Sequence, residues 1–82
     1  MRAKEMFREL GYKNIRENCN YIEYEKTIDY AHFLYTFYVG AHCFEKSGFV
    51  DKNFKEIAPI YPNEIKAINK QVEELGWLDV KN

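Results

Sequence analysis

Four side chains in this chain are of types that bind transition metals: Cys19, His32, His42 and Cys43. Zinc holds its ligands about 2.0–2.3 Å from one point, so spacing decides whether they can cooperate. His42 and Cys43 are sequence neighbours, and in a strand they project to opposite faces. If residues 30–39 and 41–46 form a hairpin turning at Val39-Gly40, position 32 lies five residue pairs from position 42. At 3.3 Å per residue that is roughly 16 Å, too far for shared coordination. No metal or other cofactor is expected. The same adjacency disarms Cys43 as a nucleophile, because the base it would need, His42, faces away. Glu23 and Glu25 share one strand face about 7 Å apart, a separation some hydrolases use. Two acids on an exposed strand are ordinary, however, and nothing places a cleft around them. The four glycines, Gly11, Gly40, Gly48 and Gly76, stand alone, so there is no glycine-rich phosphate loop. No catalytic constellation survives, and the chain is expected not to be an enzyme.

Aromatic side chains are the next candidates. Tyr21, Tyr24, Tyr30, Tyr35, Phe37, Tyr38 and Phe44 could stack on unpaired bases if a sheet displayed them. That use needs cations beside the rings, and here the neighbours are Glu23, Glu25, Asp29 and Glu45. The formal net charge is −1, so no global field draws the chain to nucleic acid or anionic lipid. Single-stranded nucleic-acid binding is therefore the alternative reading and not the first.

The elements that would position these residues can be read from periodicity. With 82 residues the chain forms one domain, spanning 1–82. Its 46% apolar content is enough to fold. Ala3, Met6, Phe7 and Leu10 recur at helical spacing, and Gly11 caps the helix with Tyr12 folding back. Pro62 opens a second helix with Glu64 near its positive end. That helix carries an apolar stripe of Ile65, Ile68, Val72 and Leu75 and stops at Gly76-Trp77. Between them, Tyr21–Lys26 alternates as a strand, and a short strand near 13–16 pairs with it. Residues 30–39 form the richest strand. Its return pairs Tyr38 with Ala41 and Tyr35 with Phe44, and breaks at Ser47-Gly48. Residues 49–60 read as a loop with apolar anchors and one short edge strand, because Pro59 excludes a central one. The fold class is α+β: a small antiparallel sheet of three to four strands flanked by N-terminal and C-terminal helices.

A domain this small buries only about 60% of the surface its unfolded chain exposes, so a partner subunit would help it. With both helices on one side of the sheet, the face carrying Tyr30, His32, Leu34, Thr36 and Tyr38 is left uncovered. That face is too apolar to be simply solvated and is the expected interaction surface. Its partner would be another protein or a second copy in a homodimer. No secretory signal or membrane span is visible, and a cytoplasmic location is expected.

Three stretches resemble a known group. The opening Ala3-Lys4-Glu5-Met6-Phe7-Arg8-Glu9-Leu10-Gly11-Tyr12, the Tyr-Ile-x-Tyr-x-Lys strand at 21–26 and the run from Asn63 to Trp77 resemble small phage and prophage proteins of low-GC Gram-positive bacteria. The resemblance covers about half of the chain and leaves residues 28–60 unmatched. It implies a phage-related origin in a bacterial host cell, and it supplies neither an activity nor functional residues.

Overall fold

Both helices end in the same way, and the reason is local. The computed structural model describes residues 1–50 and 54–78. Helix α1 spans Ala3–Glu9. Gly11 follows at φ +95°, a conformation that costs a side-chain-bearing residue. The Gly11 N–H then donates to the Arg8 carbonyl and the Tyr12 N–H to the Phe7 carbonyl, each at 2.9 Å. Helix α2 spans Ile65–Glu74 after a 3-10 turn at Pro62–Glu64. Gly76 sits at φ +75°, and Gly76 and Trp77 donate to the Glu73 and Val72 carbonyls. Both ends are Schellman motifs, which satisfy carbonyls a helix would otherwise leave orphaned.

Between the helices lies a five-stranded antiparallel meander in the order β1-β2-β3-β4-β5. The strands are β1 Lys13–Glu17, β2 Tyr21–Ile28, β3 Ala31–Tyr38, β4 Cys43–Phe49 and β5 Glu56–Ile57. The architecture is α+β as expected, with one strand more than the upper expectation. β1 carries an irregularity between Asn14 and Arg16. Part of the segment read as an anchored loop, residues 51–53, lies outside the described residues.

The β3–β4 register differs from the sequence expectation. Tyr38 pairs with Cys43 and Tyr35 with Lys46, so the loop takes up Val39 to His42. His42 adopts φ +54° there. A two-residue Val-Gly turn lacks the residues that such tight hairpins need, and the four-residue loop relieves it. The slip is two residues, so every strand side chain keeps its expected face. Ser47-Gly48 does not end β4. Gly48 pairs with Phe33 on one side and Glu56 on the other, and a ladder on both sides overrides its weak strand preference.

Both helices pack on one face of the sheet. Phe7 from α1 and Ala67 and Ile68 from α2 share a buried cluster with Tyr12, Tyr24, Tyr35 and Phe37. Phe7 stacks on Tyr24 at 4.2 Å between ring centroids. Three of the core rings are tyrosines, whose hydroxyls must find partners away from water. The 3-10 turn and helix α2 supply them. Tyr12 and Tyr35 donate to the Glu64 carboxylate, and Tyr24 donates to Gln71 Oε1. Lys46, buried on β4, donates to Glu64 Oε1 and to the Pro59 carbonyl, each at 2.8 Å. Its ammonium also lies 4.7 Å from the Tyr61 ring centroid.

This arrangement corrects the reading of α2. Ile68 is buried and Val72 and Leu75 pack against the core as the stripe predicts, but Ala67, Gln71 and the preceding Glu64 are buried beside them, while Ile65 is 47% exposed. The tyrosine hydroxyls and the Lys46 ammonium demand acceptors, and that demand places two polar residues against the sheet.

Candidate interaction surface

The face opposite the helices is built in cross-strand rows fixed by the register. One row runs Tyr21, Tyr38, Cys43; the next Arg16, Glu23, Thr36, Glu45. A third runs Lys13, Glu25, Leu34, Ser47, Ile57, and the last Thr27, His32, Phe49. Of the five residues expected to form the surface, His32, Leu34, Thr36 and Tyr38 lie together on this face of β3. Tyr30 stands in the β2–β3 turn, 84% exposed.

The centre of the face is more polar and better covered than the β3 sequence implies. Leu34 and Thr36 are buried, closed over by neighbouring side chains. Thr36 Oγ1 donates to Glu23 Oε2 at 2.9 Å, and Arg16 pairs with Glu23 Oε1 at 3.2 Å. Tyr38 donates to Glu45 at 2.6 Å, and that bond, followed by burial, pushes the Tyr38 hydroxyl up to about 12. The Tyr21 ring meets Tyr38 edge-on at 6.2 Å and lies 5.4 Å from the Arg16 guanidinium carbon. These contacts answer internally the polar groups of the Arg16, Glu23, Thr36, Glu45 row.

Apolar exposure concentrates instead at one end of the sheet, where β2 turns into β3 and β4 leads to β5. His32 stacks flat on Phe49 at 4.9 Å, with its Nδ1 3.2 Å from Thr27 Oγ1. Beyond them are Val50, Phe54 and Ile57, the last 96% exposed. A groove of about 420 Å³ opens there, lined by Ala31, Gly48, Phe49, Val50, Phe54 and Ile57, with Glu56 the one charged lining residue among the described residues. Of Phe49, Val50, Phe54, Ile57 and Ile60, the apolar anchors of the loop expected over 49–60, all but Phe49 are exposed. The signal in the sequence is Pro59 two residues after Ile57, which confines Ile57 to a short edge strand.

The residues weighed for catalysis are dispersed. His32 pairs with Phe49 at the far end of β3, whereas His42 lies in the β3–β4 loop and stacks on Trp77 at 5.5 Å. Both cysteines are exposed and unbridged. Glu23 and Glu25 share a face, but Glu23 is held by Arg16 and Thr36. Among the described residues no group of three or more potential ligands could hold a metal ion, and no helix is long and apolar enough to cross a membrane. No protein-family model, curated protein or solved structure matches the chain.

Proposed function

We propose that the chain is a non-enzymatic protein-binding module of phage or prophage origin. It works through the helix-free side of the sheet and above all through the groove between the β4 end and β5. One observation carries this reading. Tyr30, Val50, Phe54 and Ile57 are each at least 70% exposed at one end of a domain that has little apolar area to spare. Clustered exposure of that kind marks a surface that another protein covers. The origin rests on the resemblance of the two helix ends and the β2 strand. The carboxylates of Glu23, Glu25 and Glu45 on the adjoining face weigh against single-stranded nucleic acid as the occupant.

The test compares the wild-type chain with an Ile57→Asp/Phe54→Ser variant. A host or phage protein retained by immobilised wild type and lost with the variant supports the reading. So does a light-scattering dimer that dissociates with the variant. Equal retention by both chains, or salt-dependent retention of single-stranded DNA or RNA, overturns it.

A further inference from the structure

Helix α2 is docked off the centre of its apolar stripe: Ile68, Val72 and Leu75 meet the core, whereas Ile65 is 47% exposed. At 100° per residue, the stripe Ile65, Ile68, Val72, Leu75 is centred roughly 70° around the helix from the fully buried set Glu64, Ala67, Ile68, Gln71. The buried set exchanges a large isoleucine for an alanine, a glutamine and a charged glutamate. Hydrophobic burial alone would roll the helix the other way. What opposes the roll is polar. The Glu64 carboxylate takes Lys46, Tyr12, Tyr35 and the Tyr61 N–H, at 3.3 Å for the last. Each of those donors is fixed by a different segment of the chain.

We propose that the Lys46–Glu64–Tyr12–Tyr35 cluster is a lock that selects between two dockings of α2. With the lock intact, Glu64 and Gln71 face the sheet and Ile65 faces water. With the lock removed, the helix rolls so that its Ile65 stripe is docked. Both states share Ile68, Val72 and Leu75, so the roll keeps most of the apolar contacts.

The roll is read at position 65 by thiol labelling. Ile65→Cys is introduced into the full chain after Cys19→Ser and Cys43→Ser, which remove the two exposed thiols. With the lock in place, position 65 labels readily. In a chain that carries Tyr24→Phe and Gln71→Leu throughout, so that the second sheet–helix bond does not hold the roll, the lock is then replaced by apolar residues of similar shape: Lys46→Met, Glu64→Leu, Tyr12→Phe and Tyr35→Phe. The chain is expected to remain helical by circular dichroism, and labelling is expected to slow by more than about tenfold. Fast labelling of a folded chain overturns the proposal, because the helix has then kept its roll without the lock. If the fourfold variant does not fold in buffer, the same labelling in about 1 M trimethylamine N-oxide, an osmolyte that favours the compact state, decides. Protection at position 65 supports the second docking, and fast labelling, folded or unfolded, overturns it.

Discussion

The Lys46 ammonium lies 2.8 Å from a Glu64 carboxylate oxygen, and both side chains are almost wholly sealed from solvent. Removing one partner of such a pair strands the other charge in a poorly solvating interior, which costs about 3–5 kcal/mol. A core this small supplies only roughly 3–5 kcal/mol of net stability. Lys46→Met alone is therefore expected to leave most of the chain unfolded at 25 °C, as is Glu64→Leu alone. The combined replacement of Lys46 and Glu64 that also removes the Tyr12 and Tyr35 hydroxyls is expected to cost less than either, because no buried side-chain group is left unanswered and the Pro59 carbonyl and Tyr61 N–H it frees lie on exposed residues. Urea unfolding of the three variants checks the order. A fourfold variant weaker than both single ones would show that the ion pair is itself a net source of stability.

The same cluster sets how stability depends on pH. Burial pushes the Glu64 carboxyl up, but the bonds from Lys46, Tyr12, Tyr35 and Tyr61 outweigh it and hold the group below its ordinary 4.5. A depressed carboxyl contributes fully above its unfolded value, and the contribution is lost as pH falls through the folded one. At the other end, burial first and the bond to Glu64 second raise Tyr12 and Tyr35, and burial chiefly raises Tyr24, all well above their ordinary 10.0. A raised tyrosine contributes below 10.0 and loses that contribution as pH rises past it. Stability from urea melts is thus expected to be flat near neutrality, to fall below about pH 4.5 and to fall again above about pH 10. The fourfold variant should show a shallower slope on both sides, and equal slopes would remove Glu64 and its tyrosines as the cause.

Tyr24 and Gln71 form a second, smaller link between sheet and helix. Tyr24→Phe leaves the Gln71 amide buried without its donor, at a cost of about 1–3 kcal/mol. Gln71→Leu strands the Tyr24 hydroxyl to a similar degree. The double variant is expected to recover at least about 1 kcal/mol of the summed loss, since it leaves neither group unpaired. Additive losses in a double-mutant cycle would mean the hydroxyl and the amide do not act as a pair.

The helix ends allow a cleaner comparison. Gly11→Ala and Gly76→Ala each force a Cβ into the left-handed region, for about 1–2 kcal/mol. At Gly11 the added carbon would also come within 3.3 Å of Lys26 Cε, the end region of a side chain that can move aside. Near-equal destabilisation at the two sites is expected in thermal melts. A Gly76 variant with no loss would mean that the α2 cap is not needed to hold the helix.

Both caps were legible because a Schellman motif is local, with Gly11 and Gly76 each followed by a ring. The faces of β2 and β3 were legible for the same reason, since alternation survives a two-residue slip. The partners of Glu64 were not legible. Tyr12, Tyr35 and Lys46 lie 52, 29 and 18 positions from it and meet only in the fold. Read by hydropathy, a lysine and a glutamate belong to the surface, so the sequence puts Ile65 on the apolar stripe and gives Glu64 only a place near the positive end of the helix. On β3, period-two alternation assigned His32, Leu34, Thr36 and Tyr38 to one face correctly. It could not show that Glu23 and Glu45, carried by neighbouring strands, make the middle of that face polar. The apolar groove depends on Gly48 pairing on both sides, which Ser-Gly in isolation argues against.

The proposed binding end should separate function from stability. Ile57 is 96% exposed and Phe54 70%, so neither owes much of its environment to the folded state. Ile57→Asp/Phe54→Ser is expected to change unfolding stability by no more than about 0.5 kcal/mol per site. Partner affinity should fall by at least about tenfold, the scale on which loss of a central apolar anchor acts. Glu45→Gln is the control on the adjoining face. It removes a charge that already accepts the Tyr38 hydroxyl and should leave binding within about twofold. Titration calorimetry with the captured partner, or sedimentation if the partner is a second copy, measures all three chains. A variant that binds normally, or one that loses binding only because it unfolds, would move the interaction away from the β4–β5 end.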